Sequence, residues 1–173
     1  MKVNAKACFT LLYPNLLAAE IARLTKEFKS DREFKGGVLT ISIPYPEGAS
    51  HEAHTLGDPG INTVDFGFFA AEKIRRLQNR RQTEEGKNEF ASSHSADKEK
   101  ERYGGCILAH TEDGDEVYLS FSGAPDVVDE AVVYVIAEAL GFKVPEGYTN
   151  PLVPKARELI QQHIILPDLK KGL

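Results

Sequence analysis

Two cysteines, Cys8 and Cys106, are all that the 173 residues hold, and they stand far apart in the chain. That excludes a disulfide framework, and with no second Cys or His close to either, it excludes a zinc knuckle. Two reduced thiols in a cytosolic protein are expected. Long apolar runs are absent as well. No stretch approaches the ~20 residues that cross a bilayer, and the apolar residues behind Lys2 and Lys6 are cut at Pro14-Asn15, too early for a secretory signal. The chain is therefore expected to be soluble and cytoplasmic, with no membrane partner. Positive charge is in short supply, 21 Lys and Arg against 26 Asp and Glu for a net charge of −5. Without a global field for polyanions, no nucleic-acid partner is expected. Also missing are the Gly-x-Ser-x-Gly elbow of serine hydrolases, the Pro-Cys-x-x-Cys run of zinc deaminases and any internal repeat.

What remains is a 42% hydrophobic chain long enough for one domain with a real core, spanning 1–173. Leu17, Ile21, Leu24 and Phe28 recur at helical spacing behind Asn15, a good N-cap, and predict a helix over 16–29. Leu39, Ile41 and Ile43 alternate with Thr40 and Ser42, which predicts a strand with one face buried. Pro44-Tyr45-Pro46-Glu47-Gly48 turns the chain into a return strand that ends near Gly57-Asp58-Pro59-Gly60. A second helix starts near Thr63, with Phe66, Ala70, Ile74 and Leu77 as its core stripe and Arg75, Arg76, Arg80 and Arg81 matched to the dipole at its solvated end. Residues 82–102 are charged, aperiodic and expected to form a surface loop. Strands follow from Tyr103-Gly104-Gly105 to His110 and over Val117, Leu119 and Phe121. Pro125 opens a third helix with Val128, Val132, Val135, Ile136 and Ala139 inside and Gly141 as its stop. A last helix is expected within 152–165. Helices and two hairpins in this order make an α+β fold.

The double glycine at Gly104-Gly105, the run Ser122-Gly123-Ala124-Pro125, the pair Asp129-Glu130, and more weakly Ala70, Ala71 and Lys73 give the chain its likeness. In these residues it resembles the GlcG/HbpS-like, or haem-degrading-like, family across roughly 16–141. The resemblance implies a profilin-like antiparallel sheet of about five strands flanked by helices, a homo-oligomer, and in some members a bound haem. In place of the family's Arg-Met-Asp-Gly-Ala this chain has Thr55-Leu56-Gly57-Asp58-Pro59-Gly60. It also carries the charged 82–102 loop and the added C-terminal helix.

The candidate ligand-binding residues are His51, Glu52, His54, His110, Ser122 and Gly123. His51 and His54 are three apart, so on a strand they face opposite sides, whereas Glu52 and His54 share a face. One histidine could serve as a haem or metal ligand; plain surface histidines are the other reading. Cys106 and His110 fall on one face of their strand, where a thiolate–imidazole pair is conceivable and a core cysteine is the alternative. The glycine and proline of Ser122–Pro125 shape a strand-to-helix turn whose backbone N–H groups could also hold an anion. The expected function is small-ligand binding, haem first, without an evident catalytic set. A protein-interaction module, using the 82–102 loop and the Ile164-Ile165-Leu166 tail, and an enzyme acting on a small metabolite are the alternatives.

Overall fold

The computed structural model describes residues 13–28 and 33–164. Expectations placed on Cys8, the apolar N-terminal stretch and the tail beyond Ile164 lie outside those residues. Helix α1 runs Pro14–Glu27, strands β1 and β2 span Gly36–Tyr45 and Gly48–Gly57, and helix α2 spans Thr63–Arg81. After the 82–102 segment come β3, Cys106–His110, and β4, Glu116–Ser122, then α3, Asp126–Ala139, and α4, Val153–Ile160.

The strands form one antiparallel sheet in the order β2-β1-β4-β3. Among the described residues there are four strands, not five, because the two hairpins supply four and the fifth rested on the resemblance alone. The α+β layout stands. Pleating sorts the side chains into two layers. Leu39, Ile41 and Ile43 of β1 and Val117, Leu119 and Phe121 of β4 pack with α1, α3 and α4. Cys106, Leu108 and Tyr118 meet Ile74 and Leu77 of α2 on the other face. With helices on both sides, Thr40 and Ser42 are buried too, so the one-sided strand expected for β1 is two-sided. Val132, Val135 and Ile136 of α3, all 0% exposed, stabilise this layer by roughly 2 kcal/mol each.

Three local expectations change. Pro14 opens α1 with Tyr13 as N-cap, in place of Asn15, since proline's fixed φ and missing N–H suit the first helical turn. Phe28 ends that helix and is exposed, while Leu17, Ile21 and Leu24 are buried as their spacing predicts. β1 continues through Pro44 to Tyr45, and the turn is only Pro46-Glu47. Pro44 is tolerated because β4 pairs with β1 only from Val38 to Ser42, leaving that side of the strand open.

Residues 82–102 are pinned to the body. Ala91 bridges Ile107, the Leu108 N–H donates to the Phe90 carbonyl at 2.8 Å, and Ala91 and Ser92 are buried. The arginines expected in solvent hold this segment. Arg80 pairs with Glu89 at 2.6 Å, Arg81 donates to the Glu89 carbonyl at 2.8 Å and to Glu116 at 3.1 Å, and Arg76 reaches Ser95 at 3.1 Å and the Tyr103 carbonyl. Of the four, Arg75 alone is exposed.

Candidate functional site

The end of β4, the Ser122–Pro125 turn and the start of α3 meet the inner face of α2 around a charged pair that hydrophobic patterning placed inside two apolar stripes. Lys73 is 1% exposed and Asp129 2%. A buried ammonium must be matched, and Lys73 is: its Nζ donates to the Phe121 carbonyl at 2.6 Å and to Asp129 Oδ2 at 3.0 Å. The other carboxylate oxygen of Asp129 accepts the Ala124 N–H at 2.9 Å. The pair thus ties the Phe121 carbonyl, near the end of β4, to the turn that follows the strand.

Gly105 makes room for the pair, and Gly123 for the close approach of β1 to the turn. A Cβ on Gly105 would stand 2.6 Å from Asp129 Cβ and 2.8 Å from Lys73 Nζ, at a φ of +109° that side chains rarely adopt. A Cβ on Gly123 would stand 2.6 Å from the Gly36 carbonyl oxygen and from Gly37 Cα. Both positions need glycine because other groups occupy the space.

Above the pair opens a cleft of about 450 Å³, walled by Phe66, Phe69 and Tyr103 and closed by Ser122–Asp126, with Lys98 and Glu101 at its rim. Phe69 and Tyr103 meet edge to face at 5.8 Å. Lys98 and Asp126 face each other at 3.9 Å, with Lys98 74% exposed. A second carboxylate, Glu130, is buried beside the cleft and is satisfied by Ser93 at 2.9 Å, Tyr148 at 2.7 Å and the Gly105 N–H at 3.3 Å. Burial holds the Asp129 carboxyl above the usual carboxylate range, at about 6, with the Lys73 ammonium and the Ala124 N–H pulling the other way. Burial likewise pushes the Tyr148 hydroxyl up, with the neighbouring Glu130 charge acting in the same direction.

Of the six candidate residues, Ser122 and Gly123 line this cleft. The other four stand elsewhere. His51 lines a separate hollow of about 480 Å³ beside Gln78, Asn79, Arg81 and Tyr118. His54 and Glu52 share the opposite face of β2, 3.7 Å apart, where partial burial lowers the imidazole pKa and Glu52 raises it. His110 ends β3, its backbone paired with Lys143. It stands about 13 Å along the strand from Cys106, and burial pushes the Cys106 thiol far up, so no thiolate–imidazole pair forms.

Haem needs a slot with apolar walls and an axial ligand facing it. No histidine lines the cleft over Lys73 and Asp129, and the hollow that has His51 carries Gln78, Asn79, Gln82, Arg81 and Glu116 among its walls. Neither place sets a histidine against apolar walls, so neither offers a histidine-ligated haem slot. Among the described residues, no three His, Cys, Asp or Glu side chains are grouped to hold a metal ion.

Lys73, Asp129 and Glu130 are the site residues that residue-by-residue reading missed. Their signal was a charge inside an apolar stripe: Lys73 beside Ile74 and Leu77, and Asp129 and Glu130 between Val128 and Val132. Asp129 passes at first sight for a dipole-matching residue of the first helical turn. Fold and site together define an α+β domain with a four-stranded antiparallel sheet and a cleft over a buried lysine–aspartate pair. Compared with models of protein families, with curated proteins and with solved structures, the chain finds no match in any of the three.

Proposed function

We propose that this chain is a small-ligand-binding domain of the GlcG/HbpS-like kind, and that its ligand occupies the cleft over Lys73 and Asp129. The observation that carries the reading is convergence. Lys73, Gly105, Ser122–Pro125 and Asp129, which carry the resemblance from separate parts of the chain, all meet at this one place.

The walls indicate the ligand's chemistry. Phe66, Phe69 and Tyr103 suit a planar or apolar part, and the Lys98–Asp126 rim suits a polar end carrying both donors and acceptors. Haem, which the resemblance implies, is not favoured because no histidine faces the cleft. An enzyme reading is not favoured by the buried pair, since Lys73 and Asp129 are spent on each other and on the backbone. An interaction module using the 82–102 loop is less favoured, since that segment is pinned to the body through Phe90, Ala91 and Ser92.

Native mass spectrometry of the protein as purified, beside a hemin titration, tests the proposal. The expected outcome is a small organic adduct that is lost in Lys98→Trp, which fills the cleft from an exposed rim position. Hemin should give only weak absorbance changes, the same in His51→Ala and His54→Ala as in the parent. A saturable hemin band that disappears with either histidine would overturn the assignment to the cleft.

A further inference from the structure

The chain carries a net charge of −5, yet one hollow on it is walled by arginine. Beside the C-terminal half of α2 lies a space of about 300 Å³ lined by Arg75, Arg76, Arg80 and Arg102, with Glu72 as the one acid in its lining. Residues 72, 75, 76 and 80 recur at helical spacing, so α2 presents them on one side. Arg102 comes from a different element. It closes a turn that starts at Asp97, with which it exchanges two backbone hydrogen bonds at 2.8 and 2.9 Å. Glu101, just before it, takes a φ of +54°, uncommon for a residue with a side chain. The turn therefore holds the Arg102 backbone in one place beside the helix.

The partners of each arginine show where charge is left over. Glu72 is tied to Arg76, and Arg80 lies between Glu89 at 2.6 Å and Glu85 at 3.6 Å. Arg75 and Arg102 are exposed, and their side chains have no hydrogen bond or ion pair among the described residues. Two guanidinium groups thus share one space with their charge uncompensated. Like charges held together repel, and an anion placed between them turns that repulsion into attraction. A carboxylate offers two oxygens in one plane and suits a single guanidinium fork. A phosphoryl group offers three oxygens and a charge of about −1.5 to −2, so two forks from different elements can grip it at once. The lining residues are all polar, so no base can stack there and a nucleic-acid strand is not suited.

We propose that this hollow is a phosphoryl-binding site, in which Arg75 of α2 and Arg102 of the 97–102 turn hold the phosphate or diphosphate group of a small molecule, with Arg80 as a flanking charge. The site is distinct from the cleft over Lys73 and Asp129. Glu101 and Tyr103 line that cleft, whereas Arg102 between them lines the hollow, so the site stands whatever the cleft holds.

Titration of the ¹⁵N-labelled full chain with inorganic phosphate, pyrophosphate and succinate at constant ionic strength, followed through the arginine Nε–Hε signals, tests it. Pyrophosphate is expected to saturate with a Kd below about 1 mM, phosphate to bind more weakly and succinate more weakly still. The signals that move should include two that are missing in Arg75→Gln and Arg102→Gln. Each of these variants, altered at an exposed position and unchanged in circular dichroism, should bind pyrophosphate about tenfold or more weakly, as expected for lost charge-assisted hydrogen bonds. Arg102→Lys should recover only part of the loss, because it keeps the charge without the fork. Lys143→Gln removes a positive charge from an exposed position outside this hollow and should leave affinity unchanged. The absence of saturation by about 10 mM pyrophosphate overturns the proposal. Succinate binding as tightly as phosphate, full recovery in Arg102→Lys, or an equal loss in Lys143→Gln overturns it too, since each would mean diffuse attraction to charge.

Discussion

Replacing Lys73 with methionine removes the ammonium and keeps most of the side-chain volume. In the parent, Nζ satisfies the Phe121 carbonyl at 2.6 Å and Asp129 at 3.0 Å in a space where both residues are almost fully buried. Its loss leaves Asp129 with one backbone N–H from Ala124 and leaves the Phe121 carbonyl with no side-chain donor. Removing one partner of a buried ion pair costs about 3–5 kcal/mol, chiefly because the other charge remains buried. Lys73→Met should therefore lose about 3–5 kcal/mol, whereas Asp129→Asn, which keeps an amide oxygen for Nζ and resembles the protonated carboxyl, should lose no more than about 1 kcal/mol near neutral pH. The double variant should lose less than the sum by about 2 kcal/mol or more, since it strands neither charge. Urea unfolding followed by circular dichroism at neutral pH measures all three. A domain of this size with a stability of about 5–15 kcal/mol survives each single change. A Lys73→Met loss below about 1 kcal/mol, or strict additivity in the double variant, would refute the reasoning.

Four further outcomes follow from the same geometry. The Asp129 carboxyl is raised from 3.8 to about 6. A raised acid contributes stability that is present below pH 3.8 and lost as pH rises through 6, so the advantage of the parent over Asp129→Asn should shrink by up to about 3 kcal/mol between pH 4 and pH 7; an advantage that grows over that range means the Lys73 charge outweighs burial. Gly105→Ala places a Cβ 2.6 Å from Asp129 Cβ at a φ of +109° and should cost at least about 3 kcal/mol in urea unfolding. Gly67→Ala, inside α2 with open space around the new Cβ, should stabilise by about 0.5–1 kcal/mol, visible as a raised Tm. Ser120 has a buried hydroxyl with no hydrogen-bond partner among the described residues, so Ser120→Ala should be neutral or stabilising, and a loss above about 1 kcal/mol would show that the hydroxyl is satisfied.

Periodicity exposed most of the framework because burial here follows pattern. Leu17, Ile21 and Leu24, the alternation of Leu39, Ile41 and Ile43, and the valines of α3 all lie where their spacing sends them. The two-sided burial of β1 was not legible, since Thr40 and Ser42 look like solvent-facing residues until α2 is known to lie over them. Local chemistry misled at Pro14 and Pro44: proline reads as a breaker, yet one starts a helix and the other sits where a strand has lost a neighbour. The 82–102 segment looked free because its anchors are arginines from a different element. The site divided along the same line. Ser122 and Gly123 shape the chain locally and could be picked out in the sequence, whereas the pairing of Lys73 with Asp129 joins residues on two helices and depends on the topology between them.

The central claim, that the cleft over Lys73 and Asp129 is a ligand site, is tested most directly by amide chemical-shift mapping of ¹⁵N-labelled protein against a mixture of small planar heterocycles bearing carboxylate or amine groups. The account predicts shifts confined to Phe66, Phe69, Tyr103 and Ser122–Asp126, abolished in Lys98→Trp. Shifts centred instead on His51, or on Glu52 and His54, and unchanged by Lys98→Trp would contradict it.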